Sequence, residues 1–426
     1  MKKFFITSLF LVILALIPAY WVLAYISKAK PMVISAEPYR YQWEIQSVDT
    51  MKYSRDMAQE KLNDSKFDDE IDRQVKAIAS TGATHVAIAT PYDDKFAPMM
   101  KRWVDAARKN HLKVWFRGNW SGWEGWFGIP KTMSRAEHIQ KTREYISKHP
   151  VLFEDGDIFS SCPECENGGP GDPRSTHDVE GYRTFLIDEY RATKSAFASI
   201  HKNVRSNTYS MNGDVAKLIM DKKTTASLDG VVTIDHYVST PEKFASDIRY
   251  IAENSGGKIL LGEWGVGIPD VHGEMNADAK AKWMDAALTA LSDTGDMIIG
   301  MNYWVAVGGS TELWSTRSEN SLMADTLRKY YAPSVIFGRI TNEIGEPIVG
   351  AEINANNVII KTDTLGRYEY RAKKSVKEIT VSAQGYKDLR IPIANTFQKT
   401  DLILSKSKEN TSFKFLRMLK NRGVIK

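Results

Sequence analysis

Apolar positions along the chain fall into short runs of β-forming residues that alternate with longer segments of helical spacing. A run of four to eight such residues between polar turns is typical of a buried strand. The alternation therefore predicts an α/β domain of eight strand–helix units. The eight predicted strands are Glu44–Thr50, His85–Thr90, Lys113–Arg117, Asp157–Ser161, Val204–Tyr209, Val231–Asp235, Lys258–Gly262 and Met297–Tyr303.

The intervening segments carry helix signals. One helix is predicted over Phe67–Ala79, with Asp64 and Ser65 as N-cap candidates, and another is predicted to begin at Thr240-Pro241. Eight strand–helix units over about 290 residues are typical of a (β/α)₈ TIM barrel. A doubly wound open sheet would need a Gly-rich phosphate turn after an early strand, and the sequence contains none. We therefore expect a TIM barrel over residues 31–333.

After Pro333 the helical spacing gives way to short alternating strands that continue to Ser405. This stretch resembles the carboxypeptidase regulatory-like family over about 70 residues. The resemblance implies an all-β, prealbumin-like sandwich of seven strands over residues 334–405, without peptidase chemistry because it lacks a His/Glu zinc set. Its glycines and proline stand where turns need them. The motif pieces are Gly345 to Ala351, Thr362-Asp363, Gly366 to Tyr368 and Gly385-Tyr386.

The N-terminal segment, residues 1–30, predicts a membrane span. Phe4–Ile26 is an unbroken run without a charged side chain, and it follows two lysines. As a helix it would be about 34 Å long, enough for a hydrocarbon core of about 30 Å. A retained transmembrane anchor is favoured over a cleaved signal peptide because no A-x-A-like site follows. The barrel is then expected outside the cytoplasm, at the cell surface or in the periplasm.

The net charge of +5 is concentrated at the two ends of the chain. Residues 1–30 carry four lysines, and residues 405–426 carry seven Lys or Arg with one acid, so the remainder is net negative. Nucleic acid is therefore excluded as an expected partner. The basic tail, residues 406–426, is either an amphipathic helix on an anionic membrane or a solvated segment.

Candidate chemistry lies where the predicted strands end, because the carboxyl ends of barrel strands form the active-site face. Glu164 and Glu166 follow the fourth strand, and Glu263 follows the seventh. These strands lie on opposite sides of a barrel mouth. Cleavage of a glycosidic bond needs one carboxylic acid and one carboxylate that face each other across the sugar. No cofactor or metal is expected for this chemistry.

The arrangement resembles the superfamily of retaining glycoside hydrolases on (β/α)₈ barrels, over roughly residues 40–330. The resemblance implies that Glu263 is the nucleophile and Glu164 the acid/base. The chain departs from the family where Pro163 replaces the Asn that normally precedes the acid/base, which leaves Glu166 as the alternative. Opposite pKa shifts are expected: Glu263 ionised, and its partner raised to hold a proton.

Seven further residues are predicted to bind substrate. Trp304 is expected to form a floor under the sugar, and Tyr237 to donate its hydroxyl to Glu263. The tryptophans after the third strand either stack on sugars or form a small core of their own. Arg117, at the end of that strand, either forms a structural ion pair or orients Glu263 by a charge-assisted hydrogen bond. The seven are Trp304, His236, Tyr237, Arg117, Trp120, Trp123 and Asn207.

The two cysteines, Cys162 and Cys165, bracket Glu164. A redox pair of the thioredoxin type would need a smaller α/β fold, and a metal site would need two more ligands with only His177 near. A local disulfide that stiffens the Glu164 loop is favoured over two reduced, buried thiols.

Two functions from different classes fit these observations. The first is a membrane-anchored exported glycosidase acting on a β-linked oligo- or polysaccharide by a retaining mechanism with two Glu residues. The second is a carbohydrate-binding or scaffold protein whose barrel has lost catalysis, and the Pro163 departure keeps it open.

Overall fold

A computed structural model describes the chain over nine ranges that begin at Trp43 and end at Ser407. Among these residues no helix is long and apolar enough to cross a bilayer. The predicted anchor Phe4–Ile26, the basic tail and Trp123 lie outside them. The described ranges are 43–120, 126–129, 133–168, 171–315, 321–331, 334–355, 358–372, 376–393 and 397–407.

Eight parallel strands form one sheet in the order β4-β3-β2-β1-β8-β7-β6-β5. A parallel bridge between Ile158 and Arg205 joins β4 to the segment that leads into β5, and this contact closes the ring. The predicted TIM-barrel-like α/β fold is therefore confirmed. Its strands are β1 Ile45–Asp49, β2 His85–Ile88, β3 Lys113–Phe116, β4 Ile158–Phe159, β5 Met211–Asn212, β6 Val231–Asp235, β7 Lys258–Trp264 and β8 Ile298–Tyr303.

Helices follow the strands as the periodicity predicts. The Thr240 side chain accepts the Lys243 N–H at 3.2 Å and caps its helix, as expected. The predicted caps of the helix that begins at Phe67 are wrong, because Asp64 accepts the Lys66 N–H at 3.1 Å in a turn before it. The helices are α1 Met51–Ser54, α2 Phe67–Ser80, α3 Ala97–Lys109, α4 Arg135–Lys148, α5 Pro173–Thr176, α6 Val179–Ser199, α7 Gly213–Ile219, α8 Lys222–Ser227, α9 Pro241–Ser255, α10 Pro269–His272, α11 Ala277–Ser292 and α12 Leu322–Tyr331.

The fifth strand differs from the prediction. Val204–Tyr209 was expected to form it, but regular pairing occurs only at Met211–Asn212. The neighbouring β4 has two residues and its chain then turns away, so the extended segment before β5 has few ladder partners. It uses other bonds instead, such as Ser160 Oγ to Thr208 Oγ1 at 2.9 Å. The mouth of the barrel therefore begins further along the chain than expected.

A layer of apolar side chains, most of them large, fills the barrel interior. Trp115 of β3 is fully buried, and its ring nitrogen donates to Ser160 Oγ at 2.9 Å. Each fully buried large apolar side chain contributes about 1.5–3 kcal/mol, so this layer is a firm support for the groups above it. The buried members of the layer are Ile45, Ala87, Trp115, Ile158, Val231 and Leu260.

The C-terminal part forms two sheets around a separate cluster of buried apolar residues. One sheet has the order β11-β10-β13-β14; in the other, β9 pairs with β12, β15 and β16. The described residues thus hold eight strands where seven were expected, because β15 and β16 pair with successive parts of β9 and are separated at Thr400-Asp401. The strands are β9 Ser334–Asn342, β10 Glu352–Ala355, β11 Val358–Lys361, β12 Arg367–Ala372, β13 Glu378–Ser382, β14 Leu389–Pro392, β15 Phe397–Lys399 and β16 Leu402–Leu404.

A tight turn from Asp363 to Gly366 joins β11 to β12, and the Gly366 N–H donates to the Asp363 carbonyl oxygen at 3.0 Å. Asp363 Oδ1 accepts the N–H groups of Leu365 at 2.9 Å and Arg367 at 2.7 Å. Gly366 has φ +71°, and a Cβ there would lie 2.5 Å from the Ile340 carbonyl oxygen. Only glycine fits both the backbone conformation and the close approach.

The separation of barrel and sandwich near Pro333 is a prediction that limited proteolysis tests. Because each part has its own buried apolar cluster, we expect a resistant fragment that ends close to residue 333. Mass spectrometry of a time course identifies its ends. Resistant fragments that all carry strands from both sides of Pro333 would contradict the boundary.

Candidate active site

The carboxyl ends of the strands bring together a buried cluster of charged groups. At its centre is Arg117, which directly follows β3 and is 2% exposed. Its Nη2 lies 2.7 Å from Glu263 Oε1 and 3.4 Å from Asp235 Oδ2, and its Nε lies 3.5 Å from Asp49 Oδ2. Nη1 donates to the carbonyl oxygen of Gly262. One guanidinium therefore faces carboxyl groups from three strands: β1, β6 and β7.

Glu263 is held at both carboxylate oxygens. Arg117 contacts Oε1, and the Tyr237 hydroxyl donates to Oε2 at 3.0 Å, which confirms the contact predicted from the sequence. Burial and the neighbouring Asp235 raise the pKa of Glu263, while Arg117 opposes that rise. Opposite pKa shifts were expected for Glu263 and Glu164, but the pKa of both is raised, because the sequence argument included neither the burial of Glu263 nor Asp235 beside it.

Glu164 occupies a tight turn after β4. Its φ is +49°, a left-handed conformation that is uncommon for residues other than glycine. Its N–H donates to the Ser210 carbonyl oxygen at 2.8 Å, and Asn167 Nδ2 donates to its Oε2 at 3.0 Å. Burial and the charge of Glu263 raise the pKa of Glu164 to about 8. This carboxyl can therefore hold a proton at neutral pH.

A disulfide joins Cys162 and Cys165, as favoured from the sequence. Both cysteines are buried, and the bond spans the turn that contains Glu164. A ring nitrogen of His138 lies within 4.8 Å of both sulfurs. The histidine that lies near the two cysteines is therefore His138, whereas the sequence suggested His177. His138 also faces Glu189 at 2.9 Å. Because the sulfurs are bonded to each other, the two cysteines form a covalent cross-link across the loop that contains Glu164.

Glu166, the alternative acid/base, has a different environment. It is 3% exposed, and its Oε1 accepts both the backbone N–H of Asn212 at 2.6 Å and the side-chain amide at 3.1 Å. These bonds tie the Glu164 loop to β5. Burial raises the pKa of Glu166. Its contacts favour a supporting role, and they leave Glu164 as the better candidate for proton transfer.

Aromatic side chains line the space next to Glu263. The rings of Tyr237 and Trp304 meet edge to face with their centroids 6.4 Å apart. Trp304 is half-buried, and the Lys52 ammonium lies 5.6 Å from its ring centroid. A half-exposed indole beside a carboxylate gives a flat apolar surface at the mouth, as a sugar platform requires.

Three predicted substrate-binding residues point elsewhere, and two of them lie outside the mouth. His236 lies between Asp235 and Tyr237, and because side chains alternate along a strand its ring faces outward to Asp247 of α9 at 3.0 Å. Asn207 donates to the Leu228 carbonyl oxygen at 2.7 Å. It lines a cavity with Ile45 and His85, the first residues of β1 and β2, and so lies at the amino end of the barrel. The strand error before β5 caused that misplacement.

Trp120, the third, packs against the main apolar core of the barrel, which matches neither sugar stacking nor a separate core of its loop. Its ring centroid lies 6.2 Å from that of Tyr92 and 5.6 Å from that of Tyr145. Lys141 lies 5.7 Å from the Trp120 ring centroid. Trp120 is half-buried in this cluster.

The sequence analysis assigned no role to three polar members of the cluster: Asp49, Asp235 and Asn302. Asn302 Nδ2 donates to Asp49 Oδ2 at 3.0 Å and to the Gly262 carbonyl oxygen at 2.9 Å. Strand alternation could have found Asp235, because a residue two before an inward-facing Tyr237 faces inward too. No comparable local signal identifies Asp49.

No protein-family model and no curated protein matches the chain. Among solved structures, it is similar to an FMN-binding beta-glucuronidase from Facaelibacterium prausnitzii L2-6, with 12% identity and a TM-score of 0.45 over 78% of this chain and 53% of that one. It is similar to the beta-glycosidase BGL167 with 10% identity and a TM-score of 0.47, over 69% and 96% of the two chains. A GH5_18 protein from Streptomyces cattleya, in complex with Manb1-4GlcNAc, has 11% identity and a TM-score of 0.49 over 70% and 83%.

The chain thus spans about half the length of the first of these proteins. The three identities lie between 10% and 12%, and the highest of the three TM-scores is 0.49. No activity can be transferred at this level of similarity, so the chemistry must follow from the site's own residues.

The raised pKa of Glu164 generates a stability prediction. An unfolded Glu titrates near pH 4.3, so between there and about pH 8 the folded protein binds one more proton than the unfolded chain, and stability falls as pH rises. Glu164→Gln removes this loss. We expect its free energy of unfolding in urea to exceed that of the wild type by roughly 2 kcal/mol near pH 8.5 and to match it near pH 4.5.

The matched control is Glu180→Gln, which alters an exposed carboxylate paired with Arg183. Its difference from the wild type should be small at both pH values. A Glu164→Gln protein that is no more stable than the wild type at alkaline pH would show that this carboxyl titrates normally.

Proposed function

We propose that this chain is a glycoside hydrolase that cleaves β-linked oligo- or polysaccharide with retention of configuration. One observation carries the proposal: two interacting carboxyl groups reach the barrel mouth from opposite strands, and their hydrogen-bond donors differ. Glu263 has donors at both oxygens, from Arg117 and Tyr237. Glu164 has one amide donor, from Asn167, and burial raises the pKa of both carboxyl groups. The first suits an attacking carboxylate and the second a proton donor.

The reaction follows from these contacts. Glu263 attacks the anomeric carbon while Glu164 transfers its proton to the leaving oxygen, so the glycosidic bond breaks as the glycosyl-enzyme ester forms. Glu164 then accepts a proton from water, and the resulting hydroxide displaces Glu263. Arg117 and Tyr237 fix the direction of the attacking oxygens before the sugar arrives. The Trp304 ring supports the apolar face of the sugar beside them.

A carbohydrate-binding protein without catalysis is the second candidate. Pro163 favours it, because proline offers no amide or side-chain donor for the sugar next to the proposed acid/base. The two candidates share the platform formed by Trp304 and differ in what the two carboxyl groups do. Variants of these carboxyl groups on an activated aryl β-glycoside therefore separate them.

We expect Glu263→Gln to lower hydrolysis of a dinitrophenyl β-glycoside by ~10³-fold or more, because the amide is no nucleophile. Azide should not restore it. Glu164→Gly keeps the left-handed turn and should leave the first step fast on this good leaving group. Azide should then accelerate turnover and yield a β-glycosyl azide, identified by NMR.

Glu166→Gln is the matched control for the same loop. It should respond to azide neither in rate nor in product, because Glu166 is bonded to Asn212. Azide rescue in Glu166→Gln but not in Glu164→Gly would exchange their roles. If the wild type binds β-glucans by calorimetry but cleaves no member of an aryl glycoside panel, the binding function replaces the catalytic one.

We also propose that the protein is anchored in a membrane through Phe4–Ile26 and acts outside the cytoplasm. The support is the long uncharged run and its lysine flanks. The full chain should stay in the membrane fraction after carbonate washing and be released by detergent. A mature soluble form whose N-terminus lies near residue 30 would show a cleaved signal instead.

A further inference from the structure

The charges around Arg117 do not balance. Three carboxyl groups face one guanidinium, and no second Lys or Arg of the described residues forms an ion pair with Asp235 or Glu263. All three acids are buried. Like charges this close in a poorly solvated site cannot all be ionised without a large cost, so protons must be shared among them.

Asp235 and Glu263 compete for the same donor. Arg117 Nη2 lies 2.7 Å from Glu263 and 3.4 Å from Asp235. Glu263 has Tyr237 as a second donor, whereas Asp235 Oδ1 is buried and accepts no well-formed hydrogen bond. A buried carboxylate with so few donors is more favourable in its protonated form. Burial and the charge of Asp235 in turn raise the pKa of Glu263, so the two carboxyl groups share one proton and either of them can hold it.

Groups on the surrounding elements act on Asp235 in both directions. Burial is the largest influence and raises its pKa to about 7, and the charges of Glu164 and Glu166 after β4 act in the same sense. Arg117 after β3 and the Ser210 hydroxyl before β5 lower it. Two further acids reach the cluster, Asp49 from β1 and Glu263 from β7, and its own strand contributes the neutral Tyr237.

We propose that Asp235 is a positioning residue that competes with Glu263 for Arg117 and so sets the pH at which the nucleophile becomes available. With a proton on Asp235, Arg117 forms its ion pair with Glu263 alone, and the Glu263 carboxylate is aligned for attack. With Asp235 ionised, its charge makes protonation of Glu263 easier and draws the guanidinium away. This inference rests on the proposed function, because it concerns the reactivity of Glu263 as a nucleophile.

The experiment compares Asp235→Asn with the wild type. Asparagine has nearly the same shape but carries no charge, so it mimics the protonated side chain. The probe is a dinitrophenyl β-glycoside that carries fluorine at the carbon beside the anomeric centre. The readout is the rate at which this probe labels Glu263, measured between about pH 4 and pH 9. This probe reports attack by Glu263 on a leaving group that needs no acid, so Glu164 does not limit it.

We expect the acid limb of the labelling profile to move down by about one pH unit in Asp235→Asn, so that labelling one unit below the wild-type midpoint is roughly tenfold faster. The matched control is Asp247→Asn. Asp247 pairs with His236 on the outer side of the same strand end, and its loss should leave the limb in place. A purely structural role for Asp235 would lower the rate equally at every pH without moving the limb.

An unmoved limb in Asp235→Asn, or an equal shift in Asp247→Asn, overturns the inference. If Asp235→Asn does not fold, the wild-type profile still decides. A midpoint near neutral pH supports the inference, and a midpoint below about pH 5.5, close to an isolated Glu, overturns it. Labelling at a residue other than Glu263 refutes instead the proposed function.

Discussion

Burial of a single guanidinium among carboxyl groups from three strands is the interaction on which the mouth of this barrel depends. Arg117 contacts Glu263, Asp235 and Asp49, and it also bonds to the backbone at Gly262. Removing one partner of a buried ion pair typically lowers the free energy of unfolding by about 3–5 kcal/mol, because the remaining charge is then buried with neither a partner nor water around it. Arg117 therefore links the carboxyl ends of β1, β6 and β7 through its own contacts.

The layer below makes that arrangement possible. Trp115 and its neighbours fill the barrel with apolar atoms, so water cannot reach the charged cluster from beneath. Electrostatic interactions above such a layer are stronger than at a surface. The same exclusion of water that strengthens the Arg117–Glu263 contact also raises the cost of a charge on Asp235, whose contact with Arg117 is longer, at 3.4 Å. The apolar packing below the site and the strong electrostatic interactions within it thus have the same consequence for water, which both depend on excluding.

The sequence was enough to predict the elements whose signals are local. Strands β6, β7 and β8 were predicted within two residues of their ends, because each is a long apolar run, and Glu263 followed from the end of β7. The error came at β5, where ladder bonds depend on how far the neighbouring β4 extends, and this displaced Asn207. Strand alternation indicates only that Asp235 faces inward; the importance of Asp235 and Asp49 arises from Arg117, which is distant from both of them along the chain.

The left-handed backbone of Glu164 has a consequence for how such a site would be lost in evolution. Most residues with a Cβ are disfavoured at φ +49°, and β-branched residues most of all. A lineage that no longer needs the carboxylate would accumulate Gly, Asn or Asp at this position, while Val, Ile and Thr would be removed by selection for stability. The residue found there in related chains would therefore distinguish relaxed selection on catalysis from the loss of the fold.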